Sequence, residues 1–218
     1  MSEKINSQKE AKYFSDLPTF PSNFIFFPEN CFFENDSLII PEAYQEIISE
    51  LINLGSDSKK ELYNLVLINT DSKKRYISNL RTGKETRLDP SYYLSKDDDS
   101  IGSMMISEVI HTHTVGEKFY KKVYSIISNT DLWTMRNYQM DRVWVLAPFS
   151  NTILVVEAIK PRANTSVWVE AYFKFEKLFN NKNVTYQELL TSLVNLSVDL
   201  GINIFSGEIG DTKLKKIN

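Results

Sequence analysis

One apolar segment constrains the fold of this chain more than any other, because it ends in the only two histidines of the 218 residues. It runs from Met104 to His113 and has the length and composition of a β-strand. His111 and His113 are separated by one residue, so on a strand both imidazoles point to the same face, about 7 Å apart along the backbone. They can then converge on one cation. An isolated pair at this spacing is equally often a pair of surface histidines, so other residues must decide.

Helices and strands are expected to alternate around this segment. The apolar spacing predicts helices over 41–55, 128–140 and 185–200, and strands over 62–68, 75–80, 142–147, 151–158, 167–175 and 202–205. Gly55 is expected to cap the first helix, and 62–80 to form a hairpin. This order predicts an α+β or three-layer αβα domain over 41–210, preceded by an N-terminal aromatic arm at 1–40 and followed by a frayed, flexible tail at 211–218.

Composition excludes several classes of protein. The net charge of −3 and the pI near 5.5 argue against nucleic-acid binding. A lone cysteine, Cys31, cannot form an internal disulfide or an all-cysteine metal site. The start of the chain lacks the apolar core of a signal peptide, and no apolar run reaches about 18 residues. We therefore expect a cytoplasmic protein with no membrane partner, secretion without a cleavable signal being the alternative.

Carboxylates near the histidine pair could complete a metal site. Asp131 lies in the segment Ser128-Asn-Thr-Asp131, which predicts a helix capping box and also presents a carboxylate as a third ligand. A hydrolytic site also needs a base, and Glu61 at the start of a predicted strand is one candidate. Glu108 and Glu117 compete with it. The acidic run 97–99 is better explained as a solvated loop than as a cation site.

Taken together, Glu61, His111-Thr-His113 and Ser128-Asn-Thr-Asp131 resemble the E…H-[ST]-H…S-x-x-D signature of the JAB1/MPN/Mov34 (JAMM) metalloenzymes, over about residues 58 to 160. The hairpin at 61–80 is similar to that of the RadC-like bacterial branch. The resemblance implies a cytidine-deaminase-like JAB/MPN core, to which the C-terminal helix would be an addition. It implies Zn²⁺ held by His111, His113 and Asp131, with Glu61 as general acid and base and Ser128 as oxyanion donor. The implied substrate is a peptide or isopeptide bond in a protein, ubiquitin-like proteins being candidates, with or without a partner chain.

The chain departs from that signature in two places, and other classes remain open. Thr114 stands where the family commonly has proline, and the insertion 115–126 predicts a loop beside the metal that grips or gates substrate. The insertion also makes Ser125 a competitor of Ser128. A cupin would need a third histidine, which the chain lacks. A catalytically silent scaffold of this fold and a bacterial toxin or effector domain similar to the DUF4329 group are the alternative functions.

Overall fold

The computed structural model describes residues 24–27, 30–55, 61–82, 104–113, 125–160, 162–181 and 183–218. The strands are β1 (Phe24–Phe26), β2 (Phe32–Glu34), β3 (Ser37–Ile39), β4 (Leu62–Asn69), β5 (Arg75–Ser78), β6 (Arg81–Thr82), β7 (Met104–Thr112), β8 (Arg142–Ala147), β9 (Thr152–Ala158), β10 (Ile202–Glu208) and β11 (Lys213–Lys216). The helices are α1 (Glu42–Gly55), α2 (Asn129–Asn137), α3 (Thr165–Phe179) and α4 (Tyr186–Leu200), with a short 3₁₀ turn at Pro148–Ser150.

The described strands form one sheet in the order β1-β5-β4-β7-β8-β9-β10-β11-β3-β2, and β6 pairs separately with β4. Among these pairs, β7 and β8 are parallel and the others are antiparallel. A parallel pair needs a crossover, and α2 lies in the connection from β7 to β8. The histidine-bearing strand β7 therefore lies in the interior of the sheet, and α2 returns the chain over one of its faces.

Helices pack on both faces of the sheet. On one face, Tyr44, Ile48 and Leu51 of α1 pack against a cluster that includes Ile110 and Trp144. Their spacing of three and four residues is that of one helical stripe. The opposite face is covered by α2, α3 and α4, whose apolar residues pack against the alternate residues of the same strands. The protein is thus a mixed α and β structure, in agreement with the predicted α+β class.

Most predicted elements are confirmed, including α1, the hairpin of β4 and β5, and the strands β7, β8, β9 and β10. The predicted strand at 167–175 is wrong, because Thr165–Phe179 is a helix. Its alternating valines and aromatics suggested a strand. The buried residues Trp168, Ala171, Tyr172 and Phe175 instead follow the helical spacing of three, four and seven.

The ends of the described chain also differ from expectation. The predicted frayed tail contains β11, which pairs with β10 and β3, because Leu214 is fully buried between outward-facing lysines. Residues of the predicted N-terminal arm form β1 at one edge of the sheet and β2 and β3 at the other. Gly55 is not a left-handed cap; it ends α1 in close contact with Thr112. None of the described helices is long and apolar enough to cross a membrane.

Candidate metal centre

The end of β7 is held on both sides and carries the two histidines. His111 pairs with Tyr63 of β4 and with Val145 of β8, and the His113 amide donates to the Leu146 carbonyl at 2.9 Å. Because side chains alternate along the strand, both imidazoles point to the face covered by α2, α3 and α4. The strand placement predicted from the spacing of the pair is therefore confirmed.

Helix α2 brings a carboxylate to the same place. The Ser128 hydroxyl accepts from the Asp131 amide at 3.1 Å, while the Ser128 amide donates to Asp131 Oδ2 at 2.9 Å. This is the capping box that the sequence predicts. The Ser128 hydroxyl also donates to Asp131 Oδ2 at 2.7 Å. The cap therefore fixes the carboxylate through Oδ2, and both of its oxygens face the histidines, Oδ1 towards His111 and Oδ2 towards His113.

The three side chains converge closely. His111 Nε2 lies 3.0 Å from His113 Nε2, 3.5 Å separate His111 Nε2 from Asp131 Oδ1, and 3.4 Å separate His113 Nε2 from Asp131 Oδ2. All three residues are buried, with exposed fractions of 0%, 5% and 8%. Within the described residues they form a group of ligand atoms that could hold a metal ion.

The separations allow the three side chains to serve as ligands of one metal ion. Ligand atoms about 2.0–2.1 Å from zinc lie about 3.3 Å from one another at tetrahedral angles. Each histidine Nε2 has an oxygen of Asp131 near that separation, Oδ1 for His111 and Oδ2 for His113, and one ligand atom from each residue lies within 4.8 Å of the others. Two imidazole nitrogens and one carboxylate oxygen are also a ligand set typical of catalytic zinc, which keeps a fourth position open. His111 Nδ1 is buried and has no partner among the described residues, so the polar contacts of this ring are made through Nε2. The residues present therefore fit zinc.

Electrostatics favour an ionised Asp131. Burial by itself would raise the pKa of this carboxyl group, but attraction and hydrogen bonding to His111 and His113 hold its pKa well below the usual range. A carboxylate held ionised in a buried position needs a positive partner. The two imidazoles are its nearest polar neighbours, and a divalent cation bound by the same atoms would supply that positive charge. The centre is thus built around a negative charge that requires compensation.

Glu61 lies beside this group. It precedes β4, in which Tyr63 pairs with His111. When this antiparallel register is continued by two residues, Glu61 stands opposite His113 on the same face of the sheet. Burial raises the pKa of Glu61, while His111 and His113 act to lower it and Asp131 raises it. The carboxyl group is therefore close enough for the charges of all three residues of the centre to act on its pKa.

Two of the competing residues, Glu108 and Ser125, make other contacts. Glu108 points to the opposite face, where Tyr44, Arg75, Arg142 and Trp144 donate to its two oxygens. It is therefore excluded as a base for the histidine centre. Ser125 is buried and donates to Ser150 Oγ at 2.8 Å. Glu117, the acidic run 97–99 and most of the insertion 115–126 lie outside the described residues.

The structure adds one residue that the sequence did not single out. The Leu62 amide, next to Glu61, donates to Thr112 Oγ1 at 3.0 Å. Thr112 stands between the two histidines, and its side chain is fully buried on the opposite face of β7. The only sequence signal for it is its place inside His-Thr-His, which does not reveal a contact with β4.

No protein-family model matches this chain, and a search of curated proteins finds no match. The function of the chain therefore has to be inferred from the chemistry of its own residues.

Proposed function

We propose that this protein is a zinc-dependent hydrolase of the JAMM type that cleaves a peptide or isopeptide bond in a protein substrate. The observation that carries the proposal is the convergence of His111, His113 and Asp131 within 4.8 Å of one another, in a buried group beside Glu61. A JAB/MPN-like, cytidine-deaminase-like core is part of the proposal. Its support is the interior histidine strand followed by the ligand-bearing helix.

Each residue has a role that its surroundings allow. His111, His113 and Asp131 would hold the metal, which when bound supplies a Lewis acid that activates water and polarises the substrate carbonyl. Glu61 takes a proton from the attacking water and then gives it to the leaving amine. The partly buried setting of Glu61 raises its pKa, which makes it a stronger base than a solvated glutamate.

Ser128 has two roles to reconcile. Its hydroxyl donates to Asp131 Oδ2, so its first role is to orient a ligand. The oxyanion role implied by the family resemblance requires the same proton to turn towards the substrate. That role remains a proposal, and an orienting role needs no rearrangement.

The test is metal analysis of the full chain purified without chelator. We expect about one zinc per chain in the wild type, and a large loss of bound zinc in His113→Ala and Asp131→Ala, because each removes one of three ligands. Asp199→Ala, which changes an exposed aspartate on α4, is the matched control and should keep its zinc. A folded wild type that neither carries nor takes up zinc would overturn the proposal. Stoichiometric zinc without hydrolysis of any peptide or isopeptide substrate would favour the silent scaffold.

A further inference from the structure

We propose that Thr112 is a positioning residue of the metal centre. Its buried hydroxyl fixes the strand that carries both histidines against the start of the strand that follows Glu61. This inference rests on the proposed function, since it concerns zinc binding at the same centre. It assigns to the middle residue of His-Thr-His a task on the face of the sheet that the histidines do not occupy.

The backbone pairing of β4 and β7 ends at Tyr63 and His111, one position before Leu62 would meet Thr112. At that point the Leu62 amide donates to Thr112 Oγ1 at 3.0 Å, and the hydroxyl lies 3.5 Å from the Leu62 carbonyl to which it donates. A side chain therefore replaces the backbone carbonyl as the acceptor. The spacing of the two strand ends is set by this hydroxyl.

Thr112 lies between the two candidate ligands His111 and His113. It is joined to each by one peptide bond, so a shift of its backbone moves the Cα atoms of both histidines. On the other side of β7, the His113 amide is tied to Leu146 of β8. Beyond the ladder pairing of His111 with Tyr63 and of His111 and Thr112 with β8, the end of the ligand segment is held by the His113 amide on β8 and by the Thr112 hydroxyl on β4.

The last residue of α1 packs directly on the side chain of Thr112. A Cβ atom added to Gly55, the last residue of α1, would lie 2.9 Å from Thr112 Cγ2 and 3.4 Å from its Oγ1. Real Cβ atoms essentially never approach so closely, so α1 reaches this position because residue 55 has no side chain. Gly55 therefore allows the helix to press Thr112 against β4. Contact with α1 thus fixes the rotamer of Thr112, and the hydrogen bond from the Leu62 amide fixes its hydroxyl.

The test compares Thr112→Val, which keeps the shape and removes the hydroxyl, with Thr112→Ser, which keeps the hydroxyl. Ser78→Ala is the matched control, because Ser78 is also buried and its Oγ accepts from another β4 amide, that of Leu65, at 2.9 Å. Three quantities are measured on the full chain: the zinc dissociation constant, the absorption spectrum of the cobalt(II)-substituted protein, and hydrogen exchange at Leu62 and Leu65 in the metal-free protein. If Thr112→Val does not fold, Thr112→Ala takes its place.

We expect Thr112→Val to weaken zinc binding roughly 10- to 100-fold and to change the cobalt spectrum, as is usual when a residue that orients ligands is removed. Leu62 should exchange about tenfold faster in this variant. Thr112→Ser should restore all three readouts, and Ser78→Ala should accelerate Leu65 while leaving zinc affinity and the cobalt spectrum unchanged.

Thr112→Val with the zinc affinity and cobalt spectrum of Ser78→Ala would overturn the inference alone, since the wild type would still bind zinc. A failure of Thr112→Ser to restore them would do the same. A wild type that binds no zinc would overturn the proposed function as well.

Discussion

At the residue scale, Glu61 is the group on which turnover depends most directly in the proposed mechanism. Glu61→Gln keeps the size of the side chain and removes the base, so we expect zinc to be retained and kcat to fall roughly 100- to 10,000-fold. The measurement is cleavage of peptide and isopeptide-linked substrates alongside zinc content. Glu170→Gln, at an exposed glutamate of α3, is the control and should behave as the wild type. Undiminished turnover by Glu61→Gln would assign the base to another carboxylate.

Individual residues of the centre differ in how well the sequence predicts them. His111, His113 and Asp131 follow from local spacing, because an alternate pair on a strand and a capping box on a helix are short-range patterns. The place of Glu61 depends on the pairing of β4 with β7, about 50 residues away; its position at the start of a predicted strand made it one candidate base among three, and the family resemblance selected it. Thr112 could not be predicted, since its role arises only where the backbone pairing of two strands stops.

At the element scale, we expect the capping box at the N-terminus of α2 to affect both the stability of the helix and the position of the Asp131 carboxylate. Ser128→Ala removes the cap and the hydroxyl that holds Asp131 Oδ2, so we expect a loss of about 1 kcal/mol of unfolding free energy together with weaker zinc binding. Thr185→Ala is a close control, because Thr185 and Glu188 form the same capping box at α4, away from the centre. It should lose similar stability and keep full zinc affinity. Urea unfolding and zinc titration measure the two effects.

The two capping-box variants separate two views of Ser128. Equal zinc affinity in both would show that the α2 cap does not position Asp131. If Ser128→Ala binds zinc normally and loses only turnover, the serine acts on the substrate as an oxyanion donor instead.

Capping boxes are also the elements that sequence predicts best. The box at Ser128 was recognised from its four-residue pattern, and the helices α2 and α4 begin where expected. Helix α3 was missed because Val167, Val169 and Phe173 alternate as in a strand and belong to residue types that favour sheets. Packing against α4 and α2 decided the outcome, since the burial of Trp168, Tyr172 and Phe175 suits a helix. Such tertiary preference is not visible in a local window.

At the scale of the whole molecule, the sheet separates two buried polar groups of different character. The candidate metal centre lies on the face covered by α2, α3 and α4, whereas Glu108 lies on the face covered by α1. Both belong to β7, and the alternation of side chains along this strand sends them to opposite faces. Glu108 receives donors from α1, β5 and β8, including the guanidinium groups of the partly buried Arg75 and the buried Arg142. It therefore ties the helix to the middle of the sheet, without contact with the histidines.

This division predicts that a substitution of Glu108 lowers the free energy of unfolding and leaves zinc binding unchanged. Glu108→Gln removes the carboxylate that Arg75 contacts and one of the two that Arg142 contacts, Glu157 being the other, so we expect the unfolding free energy to fall by about 3–5 kcal/mol. Glu34→Gln, which breaks the exposed ion pair with Lys213, should cost about 0–1 kcal/mol. At low temperature, where Glu108→Gln is folded, its zinc content should equal that of the wild type, because its side chain faces away from the centre. Urea unfolding and zinc analysis measure the two properties. Loss of zinc from folded Glu108→Gln would show that the two faces are coupled through β7.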